Sequence, residues 1–256
     1  MNKYRLVQYL FYVTVSCLVL GTIVLLNRGG AISSYLFMDL GLSEHVALLG
    51  EKSFSLALSL TALWLMIKPQ LLPAALLSLL FALLSVAVYL SGGKHFAEWA
   101  IPAQLARIAT PMLFYTYLNH HKNYILGSIK LVIATVFITH GLEAIKLNPV
   151  FLDYLLIHTP FGLSTSHAIW VLTFIGYLDI IVAVLALINV KWAIHWLFFW
   201  GFLTALIRIM DAGWENYPEF LVRTPHFVLP LILIVMFKQN NALHFGFPVV
   251  KKRTFF

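Results

Sequence analysis

Two His-x-x-Glu pairs, His95/Glu98 and His140/Glu143, are the first residues in this chain whose type and spacing could do chemistry. Three residues apart on a helix, an imidazole and a carboxylate share one face, which is metal-ligand spacing. Together with His167 and His226 they would supply enough nitrogen and oxygen donors for an iron, manganese, copper or zinc centre. Short matches of this kind also arise by chance at polar helix ends, so ordinary interfacial residues are the competing reading. Haem is a further option, through His140 or His167 with His226. His120, His121, His195 and His244 fall at the opposite edge, however, and no histidine stands in the apolar middle to carry electrons across.

Arg107 and Arg223 call for partners of a different kind. Each falls within an apolar run, ~10 Å from its end by helix rise, where an arginine costs ~2.5 kcal/mol or more at span centre. Glu51, Glu98, Asp211 and Glu215 are the acids nearest in depth. Either the arginines clamp helices through those carboxylates or they hold an anionic ligand bidentately. His226 lies one turn beyond Arg223, and Pro225 removes an N–H in that turn and frees a carbonyl for a polar pocket. The arginines would act as anion or carbonyl anchors, with Glu51, Asp211 and Glu215 beside them and His140 or His226 as proton donor or ligand. Asp179 stands apart in mid-run. Lys130 is its expected ion-pair partner, about one helical turn away in depth and reachable by snorkelling, with proton transfer as the functional alternative.

The elements that must position these residues are membrane helices. The chain is 61% hydrophobic and only 11% charged over 256 residues, far from the half-apolar, quarter-charged balance of a soluble domain. Apolar runs long enough for ~30 Å of hydrocarbon occur near 6–26, 47–67, 71–91, 100–118, 124–145, 168–189, 192–210 and 217–237. The expected fold is therefore an all-α, polytopic membrane protein of about eight transmembrane helices. The first run, behind Lys3 and Arg5, reads as a retained anchor, since no small-x-small cleavage site follows it. Cys17 is the single cysteine, which excludes an intrachain disulfide or a CxxC pair.

Charge sets the expected orientation. With the N-terminus inside, the inner segments hold Lys3, Arg5, Lys68, Lys122, Lys191, Lys238, Lys251, Lys252 and Arg253, against Arg28, Lys94 and Lys146 outside. Both termini are then cytoplasmic, in a bacterial inner membrane. Nine of the ten acids (Asp39, Glu44, Glu51, Glu98, Glu143, Asp153, Asp211, Glu215 and Glu219) fall at the outer face. The positive excess is explained by topology and anionic lipid, so nucleic acid is not an expected partner. The bilayer is.

The segment Pro102-Ala103-Gln104-Leu105-Ala106-Arg107 returns 116 residues later as Pro218-Glu219-Phe220-Leu221-Val222-Arg223, and each arginine is closely followed by Thr-Pro. That offset lays the first four runs on the last four. Two parallel four-helix units follow, 1–120 and 121–256, the second ending in a short basic cytoplasmic tail. An even number of spans per unit places the repeat axis along the membrane normal. Convergence on a common hydropathy rhythm is the alternative.

In the second unit, Thr139-His140-Gly141-Leu142-Glu143-Ala144-Ile145-Lys146-Leu147 ends a helix in a His-Gly-x-x-x-x-Lys-Leu pattern, and Gly176-Tyr177-Leu178-Asp179 puts an acid after a glycine. Both segments resemble those of DoxX-like membrane proteins. The first unit departs further, with Val24, Asn27 and Leu63 in the places of His140, Glu143 and Asp179. The resemblance implies a membrane subunit of quinone-linked or oxidative-stress redox systems, associated with a larger oxidoreductase or other membrane subunits. The combined expectation is a polar pocket opening outward that binds a small polar or quinone-like ligand. A metal-dependent membrane enzyme using His95, Glu98, His140 and Glu143 is the first alternative, and a non-catalytic subunit or transporter is the second. A quinone or a transition metal is the cofactor class these residues could hold.

Overall fold

A computed structural model describes residues 3–91, 96–119, 122–157 and 162–237, with the backbone alone described at 122, 123, 211 and 212. All regular structure among the described residues is helical. Six stretches are long and apolar enough to cross a bilayer. The first is α1 (Lys3–Asn27), continued by α2 (Ala31–Ser34) and a π-helical turn at Tyr35–Asp39. The others are α3 (Glu44–Ile67), α4 (Leu71–Leu90), α7 (Lys122–Ile145), α9 (Thr165–Leu187) and α10 (Lys191–Ala212). A seventh arises if α11 (Tyr217–Val222) and α12 (Thr224–Phe237), bent by 51°, make one broken span.

The count is six or seven, not the expected eight. The run near 100–118 divides into α5 (Ala100–Ala103) and α6 (Leu105–Leu118) at Gln104, whose φ of −97° and ψ of 7° leave the helical region. The fourteen residues of α6 reach only ~21 Å at ~1.5 Å each, short of the ~30 Å core. Hydropathy cannot register such a break, because the apolar content continues through it.

The bend between α11 and α12 has a local cause. Arg223 sits at φ −91° and ψ −2°, and Pro225 cannot donate to the carbonyl four residues back. That carbonyl, Leu221 O, instead accepts the Thr224 hydroxyl at 2.7 Å. Thr-Pro thus ends one helix and starts the next without leaving this carbonyl unsatisfied.

Among the first elements α1 packs on α3, α3 on α4, α4 on α6 and α6 on α1; later α7 packs on α9, α9 on α10, α10 on α12 and α12 on α7. The two rings meet reciprocally, α1 against α11 and α12, α7 against α5 and α6. Fully buried Phe11, Phe81 and Phe114 fill the first ring, and Ile129, Ile194, Leu197 and Leu229 the second. Small residues set the closest crossings, as is usual where lipid offers no hydrophobic drive between helices. A Cβ on Gly141 of α7 would lie 2.6 Å from Gly176 O of α9, and one on Gly176 would lie 2.6 Å from Gly141 O.

Candidate functional site

The α7–α9 crossing also fixes a register. A Cβ on Gly141 would stand 3.3 Å from Asp179 Cβ, so Asp179 faces the His140 turn of α7. Ten residues back, Lys130 Nζ donates to Asn189 Oδ1 at 2.8 Å. The expected Lys130–Asp179 ion pair is therefore not formed. At ~1.5 Å per residue the lysine lies ~15 Å from the level of the acid, beyond the reach of its stem. The level of Asp179 differs from the one its apolar run implies, because α9 begins well beyond the end of α7 and runs alongside α8 (Pro149–Ile157).

The turn that delivers α8 is encoded locally. Leu147, at φ 58°, takes the left-handed position after α7. Asn148 N–H then returns to Glu143 O at 2.9 Å and Leu147 N–H to Ala144 O at 3.0 Å, the paired bonds of a Schellman ending. Asn148 Oδ1 accepts from Val150 N–H at 3.1 Å, and Pro149 occupies the first helical position, where no donor is needed. The chain doubles over and α8 roofs the space between α7, α9, α10 and α12.

Under that roof lies a cavity of about 130 Å³. Each helix presents one face to it, at the three- and four-residue spacing of a helical stripe. From α7 come Phe137, His140 and Ala144, and from α9 come Leu172, Ile175 and Asp179. On α10 Trp200, Thr204 and Arg208 succeed one another every fourth residue, and α8 adds Phe151 and Tyr154. Arg223 and His226, at the bend between α11 and α12, close the far side. Gly201 permits this closure, since a Cβ there would lie 2.7 Å from His226 O, a carbonyl that Pro230 leaves without its helical donor.

Several polar side chains line this mostly apolar space. His140 Nδ1 lies 2.9 Å from Glu143 Oε2, the only ion pair among the described residues. An ionised carboxylate only accepts, so Nδ1 carries the hydrogen and, in the neutral ring, Nε2 keeps its lone pair. Nε2 is buried and has no protein partner. The His226 ring is 5.9 Å away, tilted by 30°, and its Nδ1 is buried and unpartnered too. Asp179 is 5% exposed and its Oδ1 lacks a partner. Arg208 donates to the Tyr154 hydroxyl and lies over that ring, 4.3 Å from its centroid.

The Arg107 and Arg223 side chains make no hydrogen bond or ion pair with any described residue, and the Nε of each is fully enclosed. The expected carboxylate partners are elsewhere. Glu51 is buried in the first ring against Gly30, its two oxygens unpartnered. Glu98 and Glu215 are exposed, and the Glu215 carbonyl accepts from Arg28 Nη1 at 2.6 Å. The Asp211 side chain and His95 lie outside the described residues. The carboxylate that acts on both arginines is Glu219, while Arg208 repels both.

Of the expected site, then, the fold brings together His140, Glu143, Arg223 and His226, and leaves Glu51, Glu98 and Glu215 apart. It adds Tyr154, Asp179, Trp200, Thr204 and Arg208. The Trp200-Thr204-Arg208 spacing was a signal for one of these faces, because a polar stripe on an otherwise apolar helix must face protein. His140 and Glu143 bond to each other, and among the described residues no three of His, Cys, Asp and Glu converge as a metal-ligand set. No protein-family model, curated protein or solved structure matches the chain.

Proposed function

We propose that this chain is a membrane protein of two like helical units, 1–120 and 121–256, which binds a small polar or quinone-like ligand in the cavity of the second unit. Both termini are cytoplasmic in this reading, and the cavity lies in the outer half of the membrane. The like cyclic order of contacts in the two rings, and the reciprocal packing of each unit's first helix on the other's broken helix, favour the duplication. The resemblance to DoxX-like proteins is what associates the ligand with redox systems and a larger oxidoreductase.

One observation carries the ligand reading: His140 Nε2, His226 Nδ1, Arg223 Nε and Asp179 Oδ1, all buried and none within 3.5 Å of a protein hydrogen-bond partner in good geometry, belong to residues lining a single cavity. Buried polar groups are nearly always paired, and each exception needs an explanation. A bound molecule supplies it. At about 130 Å³ the space suits one six-membered ring, since a cavity of about 150 Å³ takes up benzene. Arg223 would donate to a carbonyl or oxyanion of that ring. His140, held by Glu143, would accept a hydrogen bond or proton from a hydroxyl, with His226 as the second proton-handling group.

Calorimetric titration of purified protein with one-ring ligands, including a dimethyl-1,4-benzoquinone and benzoate, tests this. Binding is expected in the parent protein and is abolished by Ala144→Phe, which fills the cavity; that of the corresponding dimethylhydroquinone, whose hydroxyl can donate to His140 Nε2, is weakened about tenfold by His140→Ala, the worth of one hydrogen bond. Heats that persist unchanged in Ala144→Phe, or no binding of any one-ring ligand, would overturn it.

A further inference from the structure

The guanidinium groups say more than that a ligand binds. Arg208 and Arg223 line the cavity from α10 and from the bend before α12, and Arg107 of α6, outside the lining, is near enough to share their mutual repulsion. Among the described residues the Arg107 and Arg223 side chains have no protein acceptor, and the Arg208 side chain donates to the Tyr154 hydroxyl. Glu143 is engaged by His140, and Glu219 forms no ion pair within 4.0 Å. A neutral carbonyl could satisfy one or two of these N–H donors. It would leave the mutual repulsion of the arginines in a low-dielectric interior untouched, and buried charge is costly unless it is paired.

Resting on the ligand reading above, we infer that the ligand is a ring-sized organic anion, of the aromatic carboxylate class, whose oxyanion lies between Arg208 and Arg223. Arg107 strengthens the hold from the first unit. Phe137, Leu172, Ile175 and Ile207 enclose the ring, and Asp179, whose Oδ1 has no partner, offers an acceptor to a ring hydroxyl. The planar fork of arginine matches a carboxylate in two parallel hydrogen bonds, which explains arginine rather than lysine at these positions. The duplication acquires a purpose in the same step. The first unit lacks the histidines and Asp179 at matching positions but keeps Arg107, so it contributes charge to a site formed chiefly by the second.

Titration of the full chain in neutral detergent with benzoate and its neutral isostere benzamide decides the matter. The expectation is at least tenfold tighter binding of benzoate. Arg223→Gln and Arg208→Gln should each weaken benzoate at least tenfold, and Arg107→Gln two- to fivefold, with benzamide changed less than twofold. Arg223→Lys keeps the charge and should retain part of the preference, which guards against simple misfolding. Equal affinity for the two compounds, or equal loss of both in the glutamine variants, overturns the anion inference and leaves the ligand reading intact. Failure of both compounds and of the benzoquinone overturns the ligand reading itself. The oxyanion could also come from a lipid headgroup. If phosphatidylglycerol nanodiscs suppress benzoate binding that phosphatidylcholine nanodiscs permit, the site belongs to lipid and the free aromatic acid is refuted.

Discussion

Gly141→Ala is the most direct test of how the site is held. The added methyl would lie 2.6 Å from Gly176 O and 2.8 Å from Ile180 Cγ1, against about 3.4 Å for ordinary contact. The isoleucine tip can turn aside. A backbone carbonyl inside a helix cannot, so α7 and α9 must part by roughly 0.8 Å at this point, the shortfall between those distances. Overpacking of this kind costs ~1–3 kcal/mol, partly offset by ~1 kcal/mol of helix propensity gained when glycine becomes alanine. Gly127→Ala in the same helix isolates the packing contribution, because nothing lies within 4 Å of its new methyl and only the propensity gain applies. Thermal unfolding in detergent should place Gly141→Ala below Gly127→Ala by the packing contribution, about 2–12 °C at ~2–4 °C per kcal/mol. Ligand affinity should fall only in Gly141→Ala, since Asp179 moves with α9 and a site loosened by ~1 Å loses its geometry. If Gly141→Ala is as stable as Gly127→Ala and binds as well, the crossing is not as close as described and the register built on it is wrong.

Lys130→Met and Asp179→Asn should be additive in stability within ~0.5 kcal/mol, since the two side chains share no contact. A coupling energy above ~1 kcal/mol in the double-mutant cycle would restore the ion pair. Glu143→Ala strands the buried Nδ1–H of His140 and should cost ~1–3 kcal/mol. Glu143→Gln keeps an acceptor oxygen and should cost less, by thermal unfolding, and an equal loss in the two variants would refute the hydrogen-bonded dyad. In a Cys17→Ser background, Asp153→Cys on the exposed side of α8 should react with an impermeant maleimide from outside spheroplasts, and Lys68→Cys between α3 and α4 only after lysis. The reverse pattern would invert the topology and face the cavity inward.

Much of this molecule was determined by sequence alone. Composition and run length dictate apolar helices, because a bilayer core accepts only backbones that satisfy their own hydrogen bonds. The three-residue spacing of His140 and Glu143 dictates their meeting on one helix face, a purely local consequence of 3.6 residues per turn. Pro225 after Thr224 marks the bend, and Leu147-Asn148-Pro149 encodes the reversal into α8, both short-range effects. Which acid meets which cation was decided only in three dimensions. Asp179 faces His140 rather than Lys130 because a glycine on each of two helices lets them cross at one register, and a crossing is a property of two surfaces that neither sequence segment contains. The same holds for the break at Gln104, where apolar content is continuous but the backbone is not. It holds above all for Arg107 and Arg223, which lie 116 residues apart in the chain and which, among the described residues, form no ion pair once the helices have packed and carried Glu51, Glu98 and Glu215 elsewhere.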